Sequence, residues 1–523
     1  MNNLLVFDSV SSRTSACLYT ADGRLISQTS VPLPLSLDGN RAQQDPGDWR
    51  ASLIASVRPI TDAFDPSRIA AVSFTAQCMG CLCVDGGGSP LHPALTWSDT
   101  RAAELGPSAL QDSPAQYAIA GTPDHFGSGI QKLNWFRGRR PEIYAKTAKV
   151  LQCKDYLAYC LTGRMCTDFS DASCSCAFDL KRRQWSRPIL DRLQLDAGKL
   201  PDAFPSDAVV GSVSPRAASE TGLAAGTPVV AGGQDFVCSA LGAGCVHPGD
   251  IYISLGSSSW VAACSDHMIL NRAYGISNQI FPGPDTYLSM ANLQGPGTVF
   301  KWLRNRVLRY ARPESSRVDP YRNLYPYTGL GERLRQSPPG ANGLLFLPYL
   351  LENAPNRPEP WASAAYIGMT WRHSREDLLR AAAEGVIFDI KTYVDLLAQS
   401  AGGPPPELTV VGPASRETEL LALMADILSI PIKTLSLEGT PDSVGAAILA
   451  GNGAGLFDGY DQAHRFWSAE KRFQPDPARS AYYRRLYPVF LDACANLLPL
   501  QRRLAELHSS RPAGPSHSKR QNS

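Results

Sequence analysis

Residues 4–19 read LLVFDSVSSRTSACLY, and residues 251–264 read IYISLGSSSWVAAC. Each is an apolar strand that runs into a small polar turn and returns as a second strand. Ser254 stands where Asp8 stands, and Gly256, Ser257 and Ser258 stand where Val10, Ser11 and Ser12 stand, an offset of 246. A phrase repeated at that distance implies two similar halves. Each half then offers a tight hairpin whose backbone N–H groups and hydroxyls face outward at a strand end. That arrangement cradles phosphate oxygens without a large positive charge. Two such hairpins facing each other across a cleft are suited to gripping one nucleotide.

A chain of 523 residues is too long for a single core, and the duplication puts the division near residue 250. Hydrophobic residues make up 44% and charged residues 19%, the balance of a globular protein with a large buried interior. A net charge of +2 gives no concentrated basic surface, so nucleic acid is not an expected partner. The segment MNNLLVFDSV has no cationic region ahead of an apolar stretch of signal length, and no run of about 18 apolar residues occurs. We therefore expect a cytoplasmic chain with no membrane partner. The thirteen cysteines include Cys78, Cys81 and Cys83, and Cys174 with Cys176, but no second pair or histidine follows at zinc-finger spacing. Buried free thiols are expected.

Strands and helices alternate along the chain. PGDWRASLIASVRPITDAF has helical apolar spacing, and IAAVSFTAQCMG reads as a buried strand that ends in a polar turn. TPVVAGG is a strand, Gln234 and Asp235 form a loop, and a small-residue helix is expected from Val237 onward. LTVVGPASRETELLALMADIL is a third strand-to-helix unit, with Gly412, Pro413, Ala414 and Ser415 at the turn. Ligands collect where such strands end. Residues 312–342 and 402–406 read as surface connections and 508–523 as a disordered, solvated tail.

Eleven phrases occur in a fixed order: QQDPGDW, AQCMG, ALTWSDTRA, KDYLAYCLTG, DFSDAS, PVVAGGQDF, SLGSSS, FLPYL, EGVIF, VVGPASRE and SVGAAILA. In that order and with those gaps, from about residue 4 to 490, the chain resembles the FGGY carbohydrate kinases. Within them it looks closest to the xylulose and L-xylulose kinases, whose phrases QDFVCSAL and VGPAS resemble. The resemblance implies an α/β fold of two actin-like, ribonuclease-H-type domains with a nucleotide cleft between them. Residues 1–248 would form the N-terminal domain and 249–490 the C-terminal one. It also implies ATP and Mg²⁺ in the cleft, phosphoryl transfer to a hydroxyl of a small-molecule sugar or polyol, and leaves a homodimer open.

Residue by residue, the resemblance makes Asp235 the general base, and phosphoryl transfer does need a carboxylate that can accept the proton of the attacking hydroxyl. An Asp capping the following helix is the plainer alternative. Asp8, with Asp235, occupies the family's Mg²⁺ position, and a hard cation favours carboxylate oxygen and retained water. Ser11, Ser12 and Arg13 of the first hairpin, Gly256, Ser257 and Ser258 of the second, and Gly412, Pro413 and Ala414 match the nucleotide-binding positions. For the sugar, Gln77, Cys78, Trp97, Asp99 and Arg101, together with Asp235, match substrate-side segments; polyol recognition needs donors and acceptors against an apolar wall. Lys154 and Asp155 read as structural.

The first hairpin departs from the family's D-x-G-T pattern. Val10 replaces Gly, Ser11 replaces Thr, and Ser15 stands where a Lys or Arg is usual, while Arg13 lies two positions earlier. Two functions follow. One is an ATP-dependent kinase of a ketopentose or related polyol; the other is a catalytically weak homologue that binds sugar or nucleotide and regulates. A third, an actin-like or Hsp70-like ATPase, has no need of AQCMG and WSDTR.

Overall fold

The computed structural model describes residues 3–256, 259–293, 296–303, 305, 330–350 and 361–509. Ser257, Ser258, residues 312–329 of the expected connection and 510–523 of the expected tail lie outside the described residues. The last helix, Pro477–Ser509, runs two residues into that tail. Among the described residues no helix is long and apolar enough to cross a membrane.

The chain forms two domains of α/β type, each built on a seven-stranded sheet. The first sheet contains β1 (Asn3–Val10), β2 (Arg13–Thr20), β3 (Leu25–Pro32), β4 (Ile69–Ala76), β5 (Val209–Ser212), β6 (Pro228–Val230) and the short β7 (Gly233–Gln234). Its order is β5-β6-β4-β1-β2-β3, with β7 paired to β4. The second contains β8 (Ile251–Ser254), β9 (Ser259–Ser265), β10 (Ser277–Ile280), β11 (Tyr287–Leu293), β12 (Leu408–Val411), β13 (Ile432–Leu437) and β14 (Trp467–Phe473), in the order β10-β11-β9-β8-β12-β13-β14.

The repeat seen in the sequence is a repeat of topology. In each half an antiparallel hairpin, β1–β2 or β8–β9, is flanked by a third antiparallel strand on one side and by two parallel strands on the other. The constant offset ends at the turn. Asp8 pairs with Ser15, but Ser254 pairs with Trp260 rather than Val261, so the second hairpin is one residue shorter.

Strand alternation divides the first sheet between two cores. Leu5, Phe7 and Leu18 face Leu53, Val57 and Ile60 of α1 (Pro46–Ala63), while Leu4, Val6 and Tyr19 face a core shared with the second half. That shared core also takes Tyr252, Ala262 and Met290 from the second sheet. Between the two sheets lie α2 (Asp235–Gly242) and, after α3 (Thr418–Leu428), α4 (Pro441–Gly453).

Helix α2 starts two residues earlier than the sequence suggests. Gly233 and Gln234 pair with Thr75 and Ala76, so the strand resumes after a break and delivers Asp235 directly into the first turn. The break sits at Gly232, whose φ of +73° and approach to Phe74 O, 2.1 Å from where a Cβ would lie, admit only glycine.

Helices α2 and α4 touch backbone to backbone. A Cβ on Gly445 would lie 1.9 Å from Cys238 O, and one on Gly242 2.1 Å from Pro441 O. Gly445→Ala should therefore destabilise the protein by about 2 kcal/mol in urea unfolding, the typical cost of overpacking. Gly86→Ala, where a Cβ meets nothing within 4 Å, should leave the midpoint nearly unchanged. Equal midpoints for the two variants would show that the crossing is looser than described.

Candidate active site

Asp235 is the first residue of α2, half-buried where β7 ends, and its Oδ1 accepts the Phe236 N–H at 3.0 Å. Burial pushes its carboxyl up to about 7, the Phe236 N–H opposes this, and the charge of Asp8 adds to it. Asp8, on β1, is itself buried and raised by desolvation, against the pull of Arg13 and a hydrogen bond from Thr440. That bond, Thr440 Oγ1 to Asp8 Oδ2 at 3.2 Å, joins the cap of α4 to the first sheet. Asp442, in the first turn of α4, is held well above the carboxylate range by burial and by the charges of Asp8 and Asp235, while Ser239 and Arg13 oppose. Three carboxylates and one guanidinium thus share a single electrostatic neighbourhood between the sheets.

Thr440 and Asp442 were not singled out from sequence. Their phrase, TPDSVGAAILA, reads only as an ordinary helix start, a cap followed by Pro and an acid. What makes them part of the site is the packing of α4 onto α2.

The carboxylates fit Mg²⁺ in donor chemistry, because hard oxygen ligands with excess negative charge suit a hard cation. Among the described residues no three such side chains form a ready-made cage, so an ion here would complete its shell with phosphate oxygens and water.

The first hairpin splits its residues between two tasks. Ser12 is exposed at the tip. Arg13 donates from Nε to Ser15 Oγ at 3.3 Å, which places its charge beside Asp8, the cross-strand partner of Ser15. Ser11, expected on the nucleotide side, has its hydroxyl turned elsewhere. It donates to Gln77 Oε1 at 3.0 Å and accepts the Trp97 Nε1–H at 2.9 Å. Gln77 in turn donates to Gln44 Oε1 at 2.7 Å, and Gln44 donates to Ser11 O at 2.8 Å. Ser11 therefore belongs with Gln77 and the half-exposed Trp97, at 43% exposure, two residues expected from the sequence to meet the sugar.

Asp99 and Arg101 are brought together but face each other. Arg101 donates from Nε and Nη2 to Asp99, Nη2 at 2.7 Å, and both side chains are almost wholly buried. Asp99 also accepts the Ala42 N–H, and Arg101 reaches Gln43 and lies over Trp135. The polar atoms of this buried pair are engaged by each other, by Ala42 and by Gln43. Cys78, also expected to meet the sugar, is buried in the turn after β4, at 3% exposure.

Lys132 is a buried cation that the phrase GIQKLNWF did not reveal. Its ammonium donates to Met79 O at 2.7 Å and Gly127 O at 2.6 Å, and burial lowers its pKa to about 8. It anchors Met79 in a left-handed conformation, φ 57°, directly after Gln77 and Cys78.

On the second half, Gly412 has φ +91°, and a Cβ there would lie 2.6 Å from Leu255 O. Ala414 donates to the same carbonyl at 3.2 Å. The expected adenosine loop, Gly412–Ala414, is thereby pinned next to Gly256, whose own N–H is engaged by Ser259 Oγ at 3.0 Å.

Lys154 and Asp155 have the bracing role expected of them. The Lys154 ammonium lies 2.9, 3.1 and 3.3 Å from Asp155, Asp168 and Asp171, and these carboxylates outweigh the effect of burial and raise its pKa. Asp168 holds Ser170, and Ser170 Oγ accepts the Gln234 N–H at 3.0 Å, so the cluster steadies the residue that precedes Asp235. All thirteen cysteines are free thiols.

The description "FGGY family of carbohydrate kinases, N-terminal domain" matches residues 3–242, and that of the C-terminal domain of the same family matches residues 251–454. A xylulose kinase of Staphylococcus epidermidis is 28% identical over 472 residues, 90% of this chain and 91% of that protein. A gluconokinase of Bacillus subtilis is 26% identical over 502 residues, 94% and 95% of the two chains. The crystal structure of xylulose kinase from Rhodospirillum rubrum superposes with a TM-score of 0.86 at 26% identity, covering 96% of this chain and all of that one.

The raised carboxyl of Asp235 has a consequence for stability. Between the ordinary carboxylate range and about pH 7 the folded chain holds this proton and the unfolded chain does not, so the group makes the fold less stable as pH rises through that window. Asp235→Asn removes the effect. Without ligands it should be more stable than the parent at pH 8, on the order of 2 kcal/mol by urea unfolding, and nearly equal to it at pH 4. No difference at either pH would mean that Asp235 ionises freely in the fold.

Proposed function

This chain belongs to the FGGY family of carbohydrate kinases, and on that premise we propose that it transfers the γ-phosphoryl group of ATP to a hydroxyl of a xylulose-type ketopentose or a related polyol. The observation that carries this reading is Asp235, a half-buried carboxylate at the end of β7 whose pKa of about 7 suits proton acceptance near neutral pH.

In this reading Asp235 takes the proton of the attacking hydroxyl, and Arg13 offers positive charge toward the phosphate side of the first hairpin. Asp8 and Asp235 would hold Mg²⁺, which supplies charge neutralisation on the transferred group. Residues 1–248 carry the sugar side and the base, and 249–490 the second hairpin and the Gly412–Ala414 loop. Closure of the two halves would exclude water, the competing acceptor.

The xylulose kinase and gluconokinase relatives pose a choice between a neutral sugar and a sugar acid. The groups gathered on the sugar side favour the neutral one. Gln77, Ser11 and Trp97 are uncharged, Arg101 is paired with Asp99, and Lys132 is bound to two carbonyls. A carboxylate substrate would want a cation that these residues do not offer.

The test is ADP release with Mg-ATP against pentuloses, pentitols, hexuloses, glycerol and gluconate. Turnover is expected with a ketopentose or polyol, falling about 10³-fold in Asp235→Asn, within the range of a lost general base. Turnover with gluconate alone would overturn the substrate class. Silence across the panel with ATP still bound would favour the weak, ligand-binding homologue.

A further inference from the structure

Helix α4 begins with a closed set of hydrogen bonds between Thr440, its N-cap, and Ser443. The Thr440 N–H goes to Ser443 Oγ and the Ser443 N–H to Thr440 Oγ1, both at 3.1 Å. The Ser443 hydroxyl gives its one proton to Thr440 O at 3.0 Å. Tyr19, whose hydroxyl is 2.7 Å from Ser443 Oγ, is therefore the donor in that contact. Ser443 Oγ thus accepts from the Thr440 N–H and from Tyr19, and a hydroxyl oxygen has two lone pairs, so it is saturated. The Thr440 hydroxyl lies 3.0 Å from that oxygen but finds no acceptor site there. Its proton goes instead to Asp8 Oδ2 at 3.2 Å, the one hydrogen bond that the Asp8 side chain receives among the described residues.

We propose that Thr440 is a positioning residue for the cation: its hydroxyl fixes the Asp8 carboxylate, so that Mg²⁺ binding depends on the docking of α4, from the second half, against the first sheet. The assignment rests on Asp8 being a carboxylate that holds Mg²⁺. Three features support it. Asp8 is 3% exposed, so this bond rather than bulk water orients its carboxylate. A bond to one oxygen restrains the group before the cation arrives and leaves the other oxygen for it, the usual way a ligating carboxylate is held. The donor is itself held in place. Gly439, the residue before it, has φ +115°, and a Cβ there would lie 2.1 Å from the Tyr19 hydroxyl oxygen, so the chain passes close over β2 just ahead of the cap.

Calorimetric titration of the full-length protein with ADP, without sugar and over a range of Mg²⁺ concentrations, tests this without turnover. Mg²⁺ is expected to strengthen ADP binding. In Thr440→Val the Mg²⁺ concentration that gives half of this effect should rise about tenfold, the lower end of what a lost partner of a metal ligand costs. ADP affinity in EDTA should stay within about twofold. Thr440→Ser, which keeps both cap and donor, should return the midpoint to within about twofold of the parent.

Ser443→Ala separates this role from helix capping. It removes the reciprocal bond of the cap and the Tyr19 tie but leaves the Thr440 hydroxyl on Asp8, so it should lower the urea midpoint without moving the Mg²⁺ midpoint. A Thr440→Val midpoint equal to the parent's overturns the proposal, as does no recovery by Ser or an equal shift in Ser443→Ala. Asp8→Asn should raise the Mg²⁺ midpoint at least as far as Thr440→Val. If it does not, or if Mg²⁺ leaves ADP binding of the parent unchanged, the cation reading of Asp8 falls, and the role of Thr440 with it. A shift in Asp8→Asn with none in Thr440→Val refutes the positioning role alone. Should Thr440→Val fail to fold, Thr440→Gly, a milder loss at an N-cap, takes its place.

Discussion

The contact between α2 and α4 is the constraint on which the site depends. Gly242 and Gly445 let one helix backbone lie against the other, with Gly242 near Pro441 and Gly445 near Cys238, so the helices run antiparallel. Asp235 opens one helix, while Thr440 and Asp442 open the other. Sliding either helix would change the spacing of the carboxylates and break the Thr440–Asp8 bond. Helix α4 comes from the second half of the chain, yet it packs on β1 and β4 of the first sheet. The two halves are therefore joined at the place where the charges gather. Tyr19 adds a second tie across the same join, with its hydroxyl 2.7 Å from Ser443.

Two acidic clusters in this molecule show how similar residues divide between stability and chemistry. Asp155, Asp168 and Asp171 surround a single buried ammonium, and their hydrogen bonds run outward to Ser170 and Ser206 until the network reaches Gln234. Such a cluster is costly to desolvate but holds its geometry firmly. Burial raises Asp171 of that cluster too, but the cluster encloses a full ammonium; among the described residues the positive charge acting on Asp8 and Asp442 is that of Arg13, and Asp8, Asp235 and Asp442 are all shifted upward. Carboxylates left in mutual repulsion make the fold less stable, a cost met most often where groups are held for chemistry rather than for stability.

Much of the fold was legible because it follows from period and repetition. The duplicated hairpin, α1, the buried strand Ile69–Ala76 and the strand–turn–helix unit ending in α3 all show in apolar spacing, and each is found where expected. The start of α2 was misplaced by two residues because Gln234 and Asp235 look like a loop, and only the pairing of Gly233 and Gln234 with Thr75 and Ala76 carries the strand up to the helix. Side-chain direction was the less legible layer. Ser11 turns toward Trp97 and Asp99 toward Arg101, and no pattern in the chain distinguishes these rotamers from their alternatives. Lys132, Thr440 and Asp442 became visible only through neighbours far away in sequence.

Strand geometry decides where the charge of Arg13 falls in the first hairpin. In a helix, side chains two apart point in different directions. In a strand they share a face. Arg13 and Ser15 both lie on β2, and the Arg13 Nε reaches the Ser15 hydroxyl, so the guanidinium lies beside position 15. Ser15 is opposite Asp8 in the ladder, and Val10 is opposite Arg13, closing a turn of Ser11 and Ser12. The side chain of Val10 thus packs in the ladder beside the arginine stem, and the charge that partners Asp8 is kept by the alternation of the strand.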